Sequence, residues 1–217
     1  MKKESIIQAL EDLRKPENKK NFSQSVDFIV NLKDLNFKNP EEQVDIFTSL
    51  KYSPDKIKVA ALVGQELSES ASKVCDKVIK QTEFDEYKKN PKLAKKLASE
   101  YDFFIAQADI MPKVAQAFGR ILGTRGKMPN PKLGTILPGK APVEPLYEKL
   151  QSSVRLTAKK TPVIQVKVGT EKMKDEEIAE NVLLIYDQLL HGLPKERSNI
   201  KNAMLKLTMS KPIKIDI

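Results

Sequence analysis

Hydrophobic residues follow two different rhythms along the chain, and the changes of rhythm divide it into three stretches. In the first, Ile6, Leu10 and Leu13 fall on one face of a helix that Pro16 stops. A basic linker runs to Lys20. From Phe22 the period becomes two: Val26, Phe28, Val30 and Leu32 point one way, and Ser23, Ser25, Asp27 and Asn31 the other. That alternation predicts a half-buried strand. Val44, Ile46, Thr48 and Leu50 predict a second strand after a turn at Pro40, with Phe47 on the polar side.

At Ser53-Pro54 the rhythm breaks. Ile57–Gly64 is a nearly continuous apolar run, the pattern of a strand covered on both faces. A helix from Glu66 to about Cys75, a short run at Lys77–Lys80 and a helical segment from Glu83 to Ser99 interrupted by Pro91 follow. Phe103–Ala108 is a second apolar strand. Val114, Ala117, Phe118, Ile121 and Leu122 mark a helix ending at Gly123, and a last helix runs from Val143 to Leu150. Strands alternating with helices predict a parallel sheet with helices on both faces.

Beyond Ser153 period two returns at Ile164, Val166 and Val168. Ile178, Val182, Ile185 and Leu189 then predict a helix with Asp175, Glu176 and Glu177 at its positive end, stopped by Gly192 and Pro194. Ala203–Thr208 and Ile213, Ile215 and Ile217 predict two closing strands. Neither flank holds enough elements to bury a core alone. The expectation is therefore two domains. Residues 1–53 and 152–217 form a discontinuous α+β sheet domain of split β-α-β type. Residues 54–151 form an inserted three-layer, Rossmann-like α/β domain.

Charge adds a partner class. The 217 residues carry 38 Lys and Arg against 29 Asp and Glu, net +9. The first 51 residues are neutral, so the excess lies downstream. A basic balance of this size favours nucleic acid or an acidic surface. One cysteine, Cys75, and one histidine, His191, cannot build an internal disulfide or a zinc site, so neither cofactor nor metal is expected. No apolar run reaches the ~20 residues that span a bilayer, and the reading is a cytoplasmic protein with no membrane partner.

The positive charge is concentrated between Asp109 and Glu144, where no acid occurs but Lys113, Arg120, Arg125, Lys127, Lys132 and Lys140 do. Gly126-Lys127 suggests a nucleotide-triphosphate loop and fails the test. Met128 stands where the metal-binding Ser or Thr belongs, and Ile121 stands where the first glycine belongs. The rival reading, a nucleotide- or metabolite-binding enzyme on the parallel sheet, needs a glycine-rich turn after Ile57–Gly64. Gln65-Glu66-Leu67 is not one.

GRILGTRGKMPNPKLGT, residues 119–135, resembles the signature of the large-subunit ribosomal protein L-one family, with Thr124 where proline is usual. Asn21-Phe22-Ser23-Gln24-Ser25, Asp109 with Met111, and Thr208-Met209-Ser210 are similar to further segments of that family, Ser210 replacing the usual glycine. The resemblance implies an archaeal-like lateral-stalk protein that is not an enzyme. It implies binding to large-subunit rRNA on the ribosome, contact with tRNA near the exit site, repression of its own mRNA, and a monomer when free. It also implies that the domain built from both termini makes the principal RNA contacts. On that basis Phe22, Ser25, Lys160, Gln165, Lys167, Thr208, Met209 and Ser210 are the expected RNA-binding residues. Arg120, Arg125, Lys127 and Lys132 form an expected secondary basic loop. Short polar groups on a sheet face suit 2′-hydroxyl and backbone recognition of RNA shape.

Overall fold

A computed structural model describes residues 2–39, 42–139 and 141–216. Pro40, Lys140 and Ile217, which enter the sequence reading, lie outside the described residues. In chain order the elements begin with α1 (Lys3–Leu13), β1 (Ser25–Leu32), β2 (Val44–Ser49), β3 (Val59–Val63), α2 (Gln65–Val74) and β4 (Lys77–Lys80). Next come α3 (Phe84–Lys89), α4 (Pro91–Glu100), β5 (Phe103–Gln107), α5 (Met111–Thr124), β6 (Ile136–Leu137) and α6 (Glu144–Ser152). The chain closes with β7 (Ser153–Ala158), β8 (Val163–Thr170), α7 (Asp175–Gly192), β9 (Ile200–Leu207) and β10 (Ile213–Ile215). Proximity groups these into two compact units, Met1–Asp55 with Ser152–Ile217, and Lys56–Gln151.

The unit holding both termini has an antiparallel sheet in the order β10-β9-β1-β8. The period-two pattern does what its spacing requires: Val26, Phe28, Val30 and Leu32 are buried, and the residues between them are not. They share a core with Ile6, Leu10 and Leu13 of α1 and Ile178, Val182, Ile185 and Leu189 of α7. Burying each such side chain contributes about 1.5–3 kcal/mol. The other sheet face is left without a helix of this unit.

The second strand does not join that sheet. β1 already has β8 on one edge and β9 on the other. β2 therefore pairs antiparallel with β7, from Val44 opposite Ala158 to Ser49 opposite Ser153. The sequence reading missed β7, because Arg155 and Thr157 blur its alternation. Arg155 is what ties the pair together. Its Nε and Nη2 reach Asp45 at 2.7 and 2.8 Å, and its guanidinium lies 5.2 Å from the centre of the Phe47 ring.

In the second unit β4-β3-β5-β6 form a parallel sheet. The run at Lys77–Lys80 is its edge strand, and two-residue β6 was too short to read from pattern. Every residue of β3 is buried, as a central strand covered on both faces requires. On one face Ala60, Leu62, Phe104 and Ala106 pack on α3, α4 and α5, where Phe118 meets Phe84 edge-on at 5.4 Å. Pro91 begins α4, and the Asn90 side chain accepts from the Lys92 amide. Helix α5 runs past Gly123. The Gly126 amide bonds to the Gly123 carbonyl and that of Lys127 to the Leu122 carbonyl, while Gly126 takes φ of 67°. This is the Schellman arrangement, and Gly126, not Gly123, is the glycine the helix end demands.

Two outcomes follow from the packing of the terminal unit. A Cβ on Gly192 would stand 2.0 Å from Ile46 Cδ1, because α7 closes directly on β2. Gly192→Ala should cost about 1–3 kcal/mol by overpacking, and Ile46→Ala in the same chain should recover part of it in a denaturant titration. Arg155 and Lys159 hold the Asp45 carboxyl at about 2, below its ordinary 3.8. A lowered carboxylate stabilises the fold above its unfolded value and loses that contribution as pH falls toward about 2. Asp45→Asn should therefore lower stability at pH 7 by about 1 kcal/mol or less, and the gap to the parent should close toward pH 2.

Candidate RNA interface

One end of the four-stranded sheet is organised by a residue that breaks the strand pattern. Gln24 has the inward parity of Val26 and Phe28, yet it is polar, and it is 0% exposed. A buried amide needs partners for each polar group, and Gln24 has them. Its amide N–H donates to Glu171 Oε2 (2.9 Å), and its Nε2 donates to Glu171 Oε1 (3.0 Å) and to the Asn18 carbonyl (2.8 Å). Its Oε1 accepts from the Met209 amide (3.0 Å), and its carbonyl accepts from the Glu171 amide (3.0 Å). Four chain segments converge on one side chain. Arg14 fixes the far side, donating to Asp175 Oδ1 and to the carbonyls of Glu171 and Met173.

Beside this anchor the Ser25 amide donates to Thr208 Oγ1 at 3.1 Å, and the two hydroxyls lie 3.2 Å apart. Ser210 closes the turn after β9. Its hydroxyl accepts from the Leu207 amide (2.9 Å) and donates to the Lys211 carbonyl (3.1 Å). Its polar group is thus occupied by the chain's own backbone. Phe22 and Met209 project outward, 52% and 65% exposed. Simple alternation would have buried Phe22, but it precedes β1 and stays outside. Four large apolar side chains are exposed among the described residues, and two of them flank the Gln24–Met209 bond.

The helix-free sheet face continues from this end. Asp27 and Ile29 of β1 lie opposite Lys206 and Met204 of β9, and opposite Lys167 and Gln165 of β8. Gln165 Nε2 donates to Asp27 Oδ2 at 3.0 Å, and Lys167 pairs with Asp55. Phe22, Ser25, Thr208, Met209 and Ser210 are thus brought together, with Gln165 and Lys167 on the adjoining face. Lys160 is not. It sits before β8, whose first residue Val163 pairs with Asn31, about 20 Å along β1 from Ser25. Sequence reasoning missed Gln24, Glu171 and Lys206. The signal for Gln24 was its polar character at an inward position.

The basic loop of the other unit is less free than its composition implies. Arg125 donates to Ser99 Oγ (2.6 Å) and the Lys95 carbonyl, and Lys127 donates to the Tyr101 carbonyl (2.7 Å). Asn130 accepts from the Lys132 amide, and Gly134 turns the chain at φ of 77°. Arg120 and Lys132 are exposed.

The crevice where the parallel sheet would hold a nucleotide lies between the ends of β3 and β5. It is filled from within. Gln107 accepts from the Gly64 amide at 2.9 Å and donates to Asp109 at 3.2 Å. A Cβ on Gly139 would stand 2.5 Å from Glu66 Oε2 and 3.1 Å from Gln107 Nε2. Two carboxylates at the place for a phosphate repel one. Burial pushes the Cys75 thiol up to about 11, away from the thiolate form. Among the described residues no group of three acids, histidines or cysteines could hold a metal, and no helix is long and apolar enough to cross a membrane.

The terminal unit thus offers an open polar sheet face, and similarity to known proteins sets the class of the chain, that of the ribosomal proteins. The chain belongs to the Ribosomal protein L1p/L10e family, whose model matches residues 13–211. It is 40% identical to "Large ribosomal subunit protein uL1" of Methanothermococcus thermolithotrophicus, with 100% of both chains covered. It is 37% identical to the protein of the same name from Pyrococcus abyssi, covering 98% of this chain and 96% of that one. The corresponding protein of Methanothermobacter thermautotrophicus is 38% identical, with 98% and 99% covered.

Gln24→Leu should leave the Met209 amide and the Glu171 carboxylate short of partners, at a cost of about 1–3 kcal/mol. Amide exchange at Met209 should speed up more than exchange in the middle of β9.

Proposed function

We propose that this chain is a structural constituent of the large ribosomal subunit. It binds large-subunit rRNA through the end of the four-stranded sheet around Ser25, Thr208 and Met209. As such it works on the cytoplasmic ribosome, as part of the mobile lateral stalk beside the tRNA exit site. It also represses translation by binding a copy of the same RNA site in its own mRNA, and it is a monomer when free. The observation that carries the reading is the exposure of Phe22 and Met209 on either side of a fully hydrogen-bonded buried anchor. A rigid turn that presents apolar surface and hydroxyls suits ribose and a distorted backbone better than it suits phosphate alone.

The reading assigns the residues unequal parts. Thr208 and Ser25 offer hydroxyls, Phe22 and Met209 pack on ribose or base, and Lys167 must leave Asp55 to reach a phosphate. Ser210 holds the turn, and Lys160 contributes at a distance. The basic loop from Arg120 to Lys132 is a secondary site for tRNA or rRNA phosphates. Residues 54–151 are in this reading an insertion that can be removed.

Met209→Ala should weaken rRNA-fragment binding at least about tenfold, because a hot-spot contact is worth about 2 kcal/mol. Its melting temperature should not move. Thr208→Val should weaken binding while the fold persists, and unchanged affinity would place the site elsewhere. Affinity should fall with salt less steeply than for a binder making about 6–10 phosphate contacts. Replacing residues 54–151 by a Gly/Ser linker should leave a folded domain with specific binding. Specific binding confined to the excised segment would reverse the assignment.

A further inference from the structure

Away from the principal rRNA site at the sheet end, and sharing Arg120 and Arg125 with the secondary basic loop, a cleft of about 590 Å³ opens between α3, α4 and α5. Ala117, Ile121 and Tyr87 lie in its floor, Lys88, Lys95, Arg120 and Arg125 surround it, and no acid among the described residues lines it. Arg125 is held by Ser99, but Lys88, Lys95 and Arg120 are exposed and make no ion pair among the described residues. A smaller adjoining hollow extends the cationic rim to Lys113, with Asp85 at its edge. Lys113 and Arg120 stand two turns apart on α5, about 10 Å.

We infer that this face of α5 docks an acidic amphipathic helix of another protein. Its apolar stripe enters the cleft, and its carboxylates meet Lys88, Lys95 and Arg120. The helix-in-groove mode fits each element. RNA fits less well. Tyr87 is only 9% exposed, with Phe118 against its ring at 5.2 Å, so no aromatic face is open for a base to stack on. Phosphates also gain nothing from an apolar floor.

The test uses the full chain and fluorescent peptides of about 18 residues, roughly five helical turns. The first carries a leucine stripe flanked by glutamates. The second has the same composition with the stripe scrambled, and the third has lysine for glutamate. Only the first should bind, and added salt should weaken it. Arg120→Glu should reduce its affinity about tenfold. Equal binding of the scrambled peptide would reduce the face to unspecific charge and overturn the proposal. So would no binding by any peptide, or tighter binding of a single-stranded oligouridine that displaces the first peptide.

Discussion

The terminal unit depends on the burial of one amide. Gln24 takes an inward position in line with Val26 and Phe28, where a polar group survives only if every donor and acceptor is met. Meeting them fixes the neighbours. Glu171 must follow β8 at the right place, Asn18 must offer its carbonyl, and the Met209 amide must point at Gln24. Arg14, just past α1, in turn clamps the segment from Glu171 to Asp175 and so ties the end of α1 to the start of α7. A turn held in this way loses little freedom when something binds, and preorganisation of that kind increases affinity without adding contacts.

The other unit shows that positive charge in a sequence is not the same as charge available to a ligand. Residues 119–135 lie in the longest acid-free stretch of the sequence, but Arg125 and Lys127 spend their donors on Ser99 and the Tyr101 carbonyl. They stitch the end of α5 to the end of α4. At the sheet end of the terminal unit the outward groups are hydroxyls, a thioether and a ring. The two surfaces suit different ligand chemistries.

Much of this was legible in the sequence, for reasons that can be named. The strand at β1 showed because one face of its sheet is covered and the other open, which enforces alternation. The run at β3 showed because both faces are covered. β7 hid because Arg155 sits in it as the partner of Asp45, a polar residue that serves pairing and not solvent. β6 hid because two residues have no period. The end of α5 was misplaced because Gly123 looks like a terminal glycine, while the left-handed backbone that decides the matter falls on Gly126. At the site, resemblance supplied Thr208 and Met209, but only the structure shows that Ser210 is consumed by the turn and that Gln24 holds it.

The proposed function requires RNA to meet the chain at the end of the four-stranded sheet. Hydroxyl-radical footprinting of the full chain, free and bound to a large-subunit rRNA fragment, tests it most directly. Phe22 and Met209 are exposed and oxidisable in the free protein. Strong protection of these two, with Tyr147 of the other unit unchanged, is the predicted result. Unchanged oxidation of Phe22 and Met209 in a saturated complex would contradict it.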